Sequence, residues 1–275
     1  MITAATNTSW TIGPGPVLLC LALTVLYCGR WRTSRAKGGA RAAPVWRLVS
    51  FLGGVVTLVV ALISPVDALA EQVFGMHMVQ HVLLIDVAPI LLILGLTKNI
   101  LRPLTPRLYK IEQAAGPLGR PVAAIVIYVA VMWIWHVPAF YDAALEHPGV
   151  HVFEHVTFLS AGMLYWWHLL SPVRSHLRFG GLAPVGYMAV TKVFVGLLGI
   201  GLTFSPDALY SFYEQGPRHW GLSALDDQAL AGAIMAVEQS IVMGVALVFL
   251  FIRALSEADA ENEREERYAA TESES

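Results

Sequence analysis

The stretch Met76–Gly95, MHMVQHVLLIDVAPILLILG, decides the fold class of this chain. As an α-helix it would extend for about 30 Å, which is the thickness of the hydrocarbon layer of a bilayer. The same stretch contains His77, His81 and Asp86. Polar residues inside a membrane span are costly and commonly mark a functional site. The stretch therefore predicts a transmembrane helix that carries polar chemistry.

The composition of the whole chain agrees with a membrane protein. The 275 residues are 56% hydrophobic and 14% charged, with a mean hydropathy of +0.60, whereas soluble domains are about 25% charged. We therefore expect the lipid bilayer as a partner. The formal net charge of -2, without a basic patch, gives no reason to expect a nucleic acid. No nucleotide loop, nucleophile elbow or acid–base pair of carboxylates stands out, so we predict that the protein is not an enzyme.

The two cysteines and the N-terminus add little chemistry. Cys20 and Cys28 lie in one apolar run, and on a single helix they would be roughly 12 Å apart, too far for a disulfide. The first residues lack the basic region of a cleaved signal peptide. We therefore interpret the first apolar run as a retained span.

Seven apolar runs approach the length needed to cross a bilayer. We predict an all-α seven-helix membrane bundle over residues 1–255 and a charged tail, 256–275, whose composition favours disorder. The predicted spans are Pro16–Gly29, Trp46–Ile63, Met76–Leu94, Pro121–Val137, Val152–Leu170, Val185–Phe204 and Ala229–Arg253.

The connections between these spans alternate in charge. The connections after spans 2, 4 and 6 are acidic and together contain a single basic residue, Arg218. Because basic connections stay in the cytoplasm, the pattern predicts an outer N-terminus and an inner C-terminus, which requires an odd number of spans. The segments after spans 1, 3, 5 and 7 contain Arg30, Arg32, Arg35, Lys37, Arg41, Arg47, Lys98, Arg102, Arg107, Lys110, Arg120, Arg174, Arg178, Arg253, Arg264 and Arg267.

Seven of the nine histidines fall on the predicted outer face, and five of them lie within or beside helix ends. His77 and His81 are four residues apart, so both rings leave the same face of span 3. His151 and His155 repeat this spacing at the start of span 5, and His136 ends span 4 inside WIWHVP. Neutral imidazole is the commonest metal-binding side chain and suits copper, zinc, iron and nickel. Two such pairs in one layer favour a metal site over simple interfacial polarity.

The other candidate donors have plainer interpretations. His168, beside two tryptophans, is typical of an inner aromatic belt. We expect His176 and His219 to be solvated. Thioethers are soft enough to contact Cu(I), but methionine is also a common packing residue. The methionines concerned are Met76, Met78, Met235 and Met243.

Three ionisable residues lie near the predicted mid-depth of the bundle: Asp86, Lys192 and Glu238. Charges at this depth usually pair with one another or line a polar path. We therefore expect Lys192 to pair with Glu238 or Asp86. Such a set either locks the helices together or conducts protons or ions.

Four blocks in this order, HMVQH, WHVPAFYDAAL, HVFEHVTFLSAGMLYWW and DDQALAGAIM, resemble the CtaG family of cytochrome c oxidase assembly factors. The similarity covers about Trp46–Arg253. It implies a seven-helix bundle in the bacterial cytoplasmic membrane that assists assembly of a haem-copper oxidase and delivers copper to it. Oxidase subunits or other assembly factors would then be the partners. One departure is Glu238, where many relatives would have a tryptophan, which indicates a distinct subgroup.

The resemblance and the histidine layer together predict Cu(I) held at the outer face in a loose, water-accessible site. The expected ligands are His77, His81, His151 and His155, with His136 as a further ligand or support. Glu154 and Tyr141 would orient the rings, as neighbouring acceptors commonly do.

Three other functions stay open from the sequence. His81 and His155 on facing helices would suit the axial positions of a b-type haem. A copper transporter would move the metal along Asp86, Glu238 and Lys192. A scaffold would hold oxidase subunits without using the histidines at all.

Overall fold

The computed structural model describes residues 4–173 and 182–273. These residues form an all-helical fold, with 82% helix and no strand. The helices are α1 Pro14–Ala42, α2 Val45–Leu62, α3 Pro65–Ala70, α4 Phe74–Gly95, α5 Lys98–Leu101, α6 Thr105–Ala115, α7 Pro121–Trp135, α8 Pro138–Glu146, α9 Pro148–Leu170, α10 Ala183–Thr203, α11 Ser211–Gln215 and α12 Ala224–Ser273.

Several helices are long and apolar enough to span a membrane, but not all seven predicted spans qualify. By length and composition, α1, α2, α4, α10 and the Ala224–Ser256 part of α12 could cross a membrane. The 15-residue α7 qualifies only together with the segment before it, across a bend of 68°. At 23 residues, α9 is long enough, yet it is not among the qualifying helices of the described chain. The described residues thus support five or six spans.

The outer surfaces of these helices are apolar. Val25 is 68% exposed on α1, Val126 is 59% exposed on α7, and Val193 is 59% exposed on α10. Exposed apolar residues recur along each of these helices, and extensive apolar surface marks contact with other apolar matter. Together with the apolar spans, they indicate a membrane protein.

One end of the bundle, which we call the basic end, joins α1, α2 and α4. The Tyr27 hydroxyl donates to the carbonyl oxygens of Arg47, at 3.1 Å, and Gly95, at 2.7 Å. The Thr97 hydroxyl, which also caps α5, donates to the carbonyl of Ala42 at 3.1 Å. The basic segments that follow α1 and α4 are therefore held at the same end.

The opposite end, which we call the histidine end, joins α4, α7 and α12. The Asp227 carboxylate accepts from the backbone N–H groups of Phe74, at 2.8 Å, and Gly75, at 2.9 Å. These are the first N–H groups of α4, which have no partner within the helix. The Tyr210 hydroxyl donates to the carbonyl of His136 at 3.1 Å. Carboxylate capping and tyrosine bonds thus fix the helix ends that carry His77 and His136.

A close backbone approach positions α4 against α9. Residues Leu83–Val87 form a π-helical turn inside α4, and this turn contains Asp86. A Cβ atom at Gly162 of α9 would overlap the carbonyl oxygen of Ile85 in that turn. Only glycine permits this approach. The two helices that carry the paired histidines are consequently in backbone contact about one to two turns below the histidines of α4 and about two to three turns below those of α9.

The last described helix extends beyond the predicted membrane domain. The structure continues α12 as far as Ser273, into the 256–275 segment for which composition favours disorder. Glutamate and alanine dominate this segment, and both are good helix formers. A helix already established in the bundle can therefore continue into it.

Candidate metal centre

Helices α4 and α9 bring their two histidine pairs together. The ring centroids of His77 and His81 are 4.2 Å apart, and those of His151 and His155 are 4.1 Å apart. Across the two helices, His77 lies 5.5 Å from His151, and His81 lies 5.9 Å from His155. The four predicted ligand rings therefore form one cluster of two cross-helix pairs at the histidine end.

The carboxylate of Glu154 lies between the two pairs. Its Oε2 is 3.7 Å from His77 Nε2, and its Oε1 is 3.5 Å from His81 Nε2. Glu154 forms one triad with His77 and His151 and another with His81 and His155. Within each triad, all ligand-type atoms lie within 4.8 Å of one another. The residue expected only to orient the rings thus occupies the centre of the cluster and can itself be a ligand.

Most polar atoms of this cluster are buried without a hydrogen-bond partner. Among the described residues, none is found for either ring nitrogen of His77 and His81, for Nε2 of His151 and His155, or for either carboxylate oxygen of Glu154. Buried polar groups are nearly always satisfied, so a group of orphans calls for an explanation such as an ion. The donor set of imidazoles and a carboxylate fits a first-row transition metal.

The cluster is more enclosed than the sequence suggested. His77 is 0% and His81 is 2% exposed. Aromatic rings cover the histidine end, and the ring centroid of Tyr141 lies 5.1 Å from that of His77 and 5.1 Å from that of Phe74. This aromatic layer, formed by Phe74, Tyr141, Tyr210 and Tyr213, replaces the expected open access to water. His151 and His155 are half-buried, so the cluster approaches the surface on the α9 side.

His136 lies beside the cluster but in neither triad found in the described chain. Its ring centroid is 6.4 Å from that of His81. Its Nδ1 lies 2.6 Å from the carbonyl oxygen of Met132, to which it can only donate. Its Nε2 faces the sulfur of Met78 at 3.3 Å. The hydrogen bond to the backbone thus orients this ring toward the thioether of Met78, which the sequence analysis interpreted as a packing residue.

The remaining histidines do not join the metal cluster in the described residues. His147 is exposed and precedes α9 as its N-cap. His219 is only 8% exposed, so the expectation that it is solvated is wrong. His168 is half-buried in the last turn of α9. His176 lies outside the described residues.

Asp86 is the centre of a separate buried network. Its carboxylate accepts from the Tyr128 hydroxyl at 2.8 Å and from the Trp166 indole N–H at 2.7 Å. The Gln239 side-chain amide lies 3.3 Å from Asp86 and 3.1 Å from the carboxylate of Glu238, so it bridges the two acids. Four helices, α4, α7, α9 and α12, are joined by these bonds.

Lys192 does not take the predicted place in this network. It is half-buried on α10, and no ion pair joins it to Asp86 or to Glu238 among the described residues. The prediction that Lys192 pairs with Glu238 or Asp86 is therefore wrong. The carboxylate of Asp86 is held by neutral N–H and O–H donors, which stabilise a buried acid without a second charge.

Sequence reasoning missed the neutral partners of Asp86. Tyr128 and Trp166 look like ordinary apolar residues of a span, although each has a polar group that needs a partner when buried. Gln239 follows Glu238 directly. Two successive polar residues on an apolar helix could have indicated that Gln239 has a buried polar partner.

Replacing Asp86 with alanine is expected to destabilise the bundle by about 2–4 kcal/mol, because the Tyr128 and Trp166 donors would be left buried without an acceptor. Thermal unfolding of the detergent-purified protein measures this loss. Asp259→Ala, at an exposed position of α12, is the control and should unfold like the wild type. Equal unfolding temperatures for Asp86→Ala and the wild type would show that the network contributes no stability.

Comparison with known proteins assigns the chain to a family. The family model described as cytochrome c oxidase caa3 assembly factor matches residues 25–257. An uncharacterized protein of Mycobacterium leprae is 25% identical over 256 residues, which are 86% of this chain and 38% of the relative. Uncharacterized proteins of Mycobacterium bovis and Mycobacterium tuberculosis are each 28% identical over 231 residues, which are 78% of this chain and 34% of each relative. The chain thus spans less than two fifths of these relatives. No solved structure matches it significantly.

Proposed function

This chain belongs to the family of cytochrome c oxidase caa3 assembly factors, and from its histidine–glutamate cluster we propose that it binds Cu(I) and delivers it to a haem-copper oxidase. Membership of an assembly-factor family favours a carrier over an enzyme. In this proposal copper is cargo, held temporarily and then released to an oxidase subunit or to another assembly factor.

The observation that carries the proposal is the position of Glu154. One carboxylate is shared by two triads, and both its oxygens and the Nε2 atom of each triad histidine are buried without hydrogen-bond partners in the described chain. Four neutral imidazoles with a single carboxylate give a site of charge −1, so bound Cu(I) makes the whole site neutral. A neutral complex avoids most of the cost of burying an ion.

Release requires a way out of the cluster. His151 and His155 are half-buried, whereas His77 and His81 are buried. Because two overlapping triads share Glu154, the ion can move between them by exchanging one imidazole at a time. We therefore place the exit on the α9 side of the histidine end, where a partner protein can approach.

The proposed topology has seven spans in a bacterial cytoplasmic membrane, with the N-terminus outside. Support comes from the basic segments, which meet at one end of the bundle, and from the histidine cluster, which lies at the other. By the positive-inside rule the basic end is cytoplasmic. The α9 helix, whose hydropathy is low, crosses as a span because its polar face is covered by α4 and α7.

A b-type haem fits the cluster less well than a bare ion. A haem bound through His81 and His155 would need its flat ring between the two imidazoles. A carboxylate oxygen of Glu154 lies within 4.8 Å of a ring nitrogen of each of these two histidines. The acid thus occupies the space through which the porphyrin plane would pass.

Metal analysis with an optical spectrum, comparing the wild type with His77→Ala/His81→Ala, tests the proposal. We expect Cu(I) in the purified wild type, no Soret band, and at least a tenfold lower copper content in the variant, because each triad loses one ligand. His147→Ala, an exposed histidine at the same end, should keep full copper content.

Three results would contradict the proposal. Equal copper in the wild type and the double variant would remove the ligand assignment. A Soret band would indicate the haem alternative. Undiminished oxidase activity in cells that contain only the double variant would favour a scaffold that does not use the histidines.

A further inference from the structure

We propose that a second Cu(I) site, built from the imidazole of His136 and the thioether of Met78, lies directly below the histidine–glutamate cluster. The inference rests on the proposed function, because it gives the same cargo a second binding position. It assigns His136 and the buried methionines to a site of their own.

A small cavity lies at this position, inside the bundle and next to the cluster. His136 is 5%, Met78 is 0% and Met235 is 2% exposed. The cavity is lined by Met78, His81, Val82, Ile85, Met132, His136, Met235, Glu238 and Gln239. Three thioethers and two imidazoles therefore surround one space that water reaches poorly.

The tautomer of His136 makes its inner nitrogen available to a metal. Nδ1 lies 2.6 Å from the Met132 carbonyl oxygen, which can only accept, so Nδ1 carries the hydrogen. In the neutral ring Nε2 then has a free lone pair. It points at the sulfur of Met78, which is also only an acceptor, at 3.3 Å. Two lone-pair donors thus face each other in a buried position, with no hydrogen between them.

A metal ion explains this pair of donors geometrically. With bond lengths like those in zinc sites, about 2.0 Å to nitrogen and about 2.3 Å to sulfur, a separation of 3.3 Å between donor atoms corresponds to a bond angle of about 100° at the metal. That angle is normal for three- or four-coordinate ions. Met235 or Met132, which line the same cavity, can supply a further thioether.

The ligand types determine which ion this site selects. Thioether sulfur is a soft ligand that favours Cu(I), whereas the harder carboxylate and imidazole set above it also accepts Zn(II) and Cu(II). His81 belongs to both places, since it lines the cavity and forms a triad with Glu154 and His155. Copper can therefore pass between the two positions by ligand exchange at His81, and ions that avoid sulfur stay in the upper position.

X-ray absorption at the copper edge, on the purified full-length protein loaded with Cu(I), tests the second site. We expect a sulfur neighbour at about 2.3 Å in the wild type and its loss in Met78→Leu. Leucine has nearly the same volume as methionine, so the fold should tolerate the change. Met188→Leu, another buried methionine outside the cavity, should keep the sulfur signal.

The variant His77→Ala/His155→Ala, which removes one ligand from each triad and leaves the cavity lining intact, separates the two sites. A sulfur signal that persists in this variant supports the second site, even if the triads bind no copper. Only nitrogen and oxygen neighbours in the wild type, with copper lost from the variant, would overturn the second site and leave the proposed function standing. A wild type that binds no Cu(I) would overturn both.

Discussion

A methyl group at Gly162 is expected to remove most of the folded protein. The Cβ atom of Gly162→Ala would overlap the carbonyl oxygen of Ile85, which belongs to the backbone of α4 and cannot rotate away. Overpacking against movable side chains costs about 1–3 kcal/mol. Because the obstacle here is backbone, we expect a loss of more than about 3 kcal/mol. The two helices that carry the histidine pairs would also be pushed apart.

Thermal unfolding and copper content of the same detergent-purified sample measure both effects. Gly196→Ala is the matched control, since it is also a glycine in an apolar helix but its added Cβ would meet nothing within 4 Å. There the better helix propensity of alanine should keep or raise stability. Wild-type unfolding and copper content in Gly162→Ala would show that the close approach of α4 and α9 is not needed.

The same contact explains what sequence could and could not predict about the site. Spacing within a helix is visible in the sequence. The two rings of each pair, His77/His81 and His151/His155, were therefore predicted to leave the same face of their helix. That the two faces meet depends on Gly162 and on the π-helical turn at Leu83–Val87, which are set by packing between distant segments. Nothing local in the sequence marks such a turn.

Helix α9 shows why counting spans by hydropathy is uncertain. The hydropathy of α9 is below that of a typical span because the helix carries its polar members of the metal cluster, His151, Glu154 and His155. Neighbouring helices cover these residues in the fold, and polar residues of membrane spans usually face the bundle interior in this way. The all-α fold was therefore predictable from composition, while the number of spans depends on which polar residues are covered.

The mid-membrane residues show a second limit. Opposite charges at similar depth suggested that Lys192 pairs with Asp86 or Glu238, but depth does not determine the direction in which a side chain points. Asp86 instead binds the neutral donors Tyr128, Trp166 and Gln239. A sequence displays charges more clearly than it displays the hydroxyl, indole and amide groups that can satisfy them.

The cluster's electrostatics determine the prediction for Glu154. It is the acidic member of both triads found in the described chain, and it is 0% exposed. At an effective dielectric constant of about 20, unit charges about 4 Å apart interact by ~4 kcal/mol, or roughly a thousandfold in affinity. Removing this one charge therefore affects both positions that an ion can occupy.

For Glu154→Gln we expect the Cu(I) affinity to fall by about a hundredfold, since the amide oxygen recovers part of the lost interaction. Competition with a chromophoric Cu(I) chelator measures the fall, and Glu146→Gln, an exposed acid at the same end, should bind like the wild type. The metal-free variant should be at least as stable as the wild type, because an uncompensated buried charge is removed. Lower affinity with unchanged or higher unfolding temperature identifies Glu154 as a ligand. Unchanged affinity would mean that the ion, if bound, does not occupy the triads.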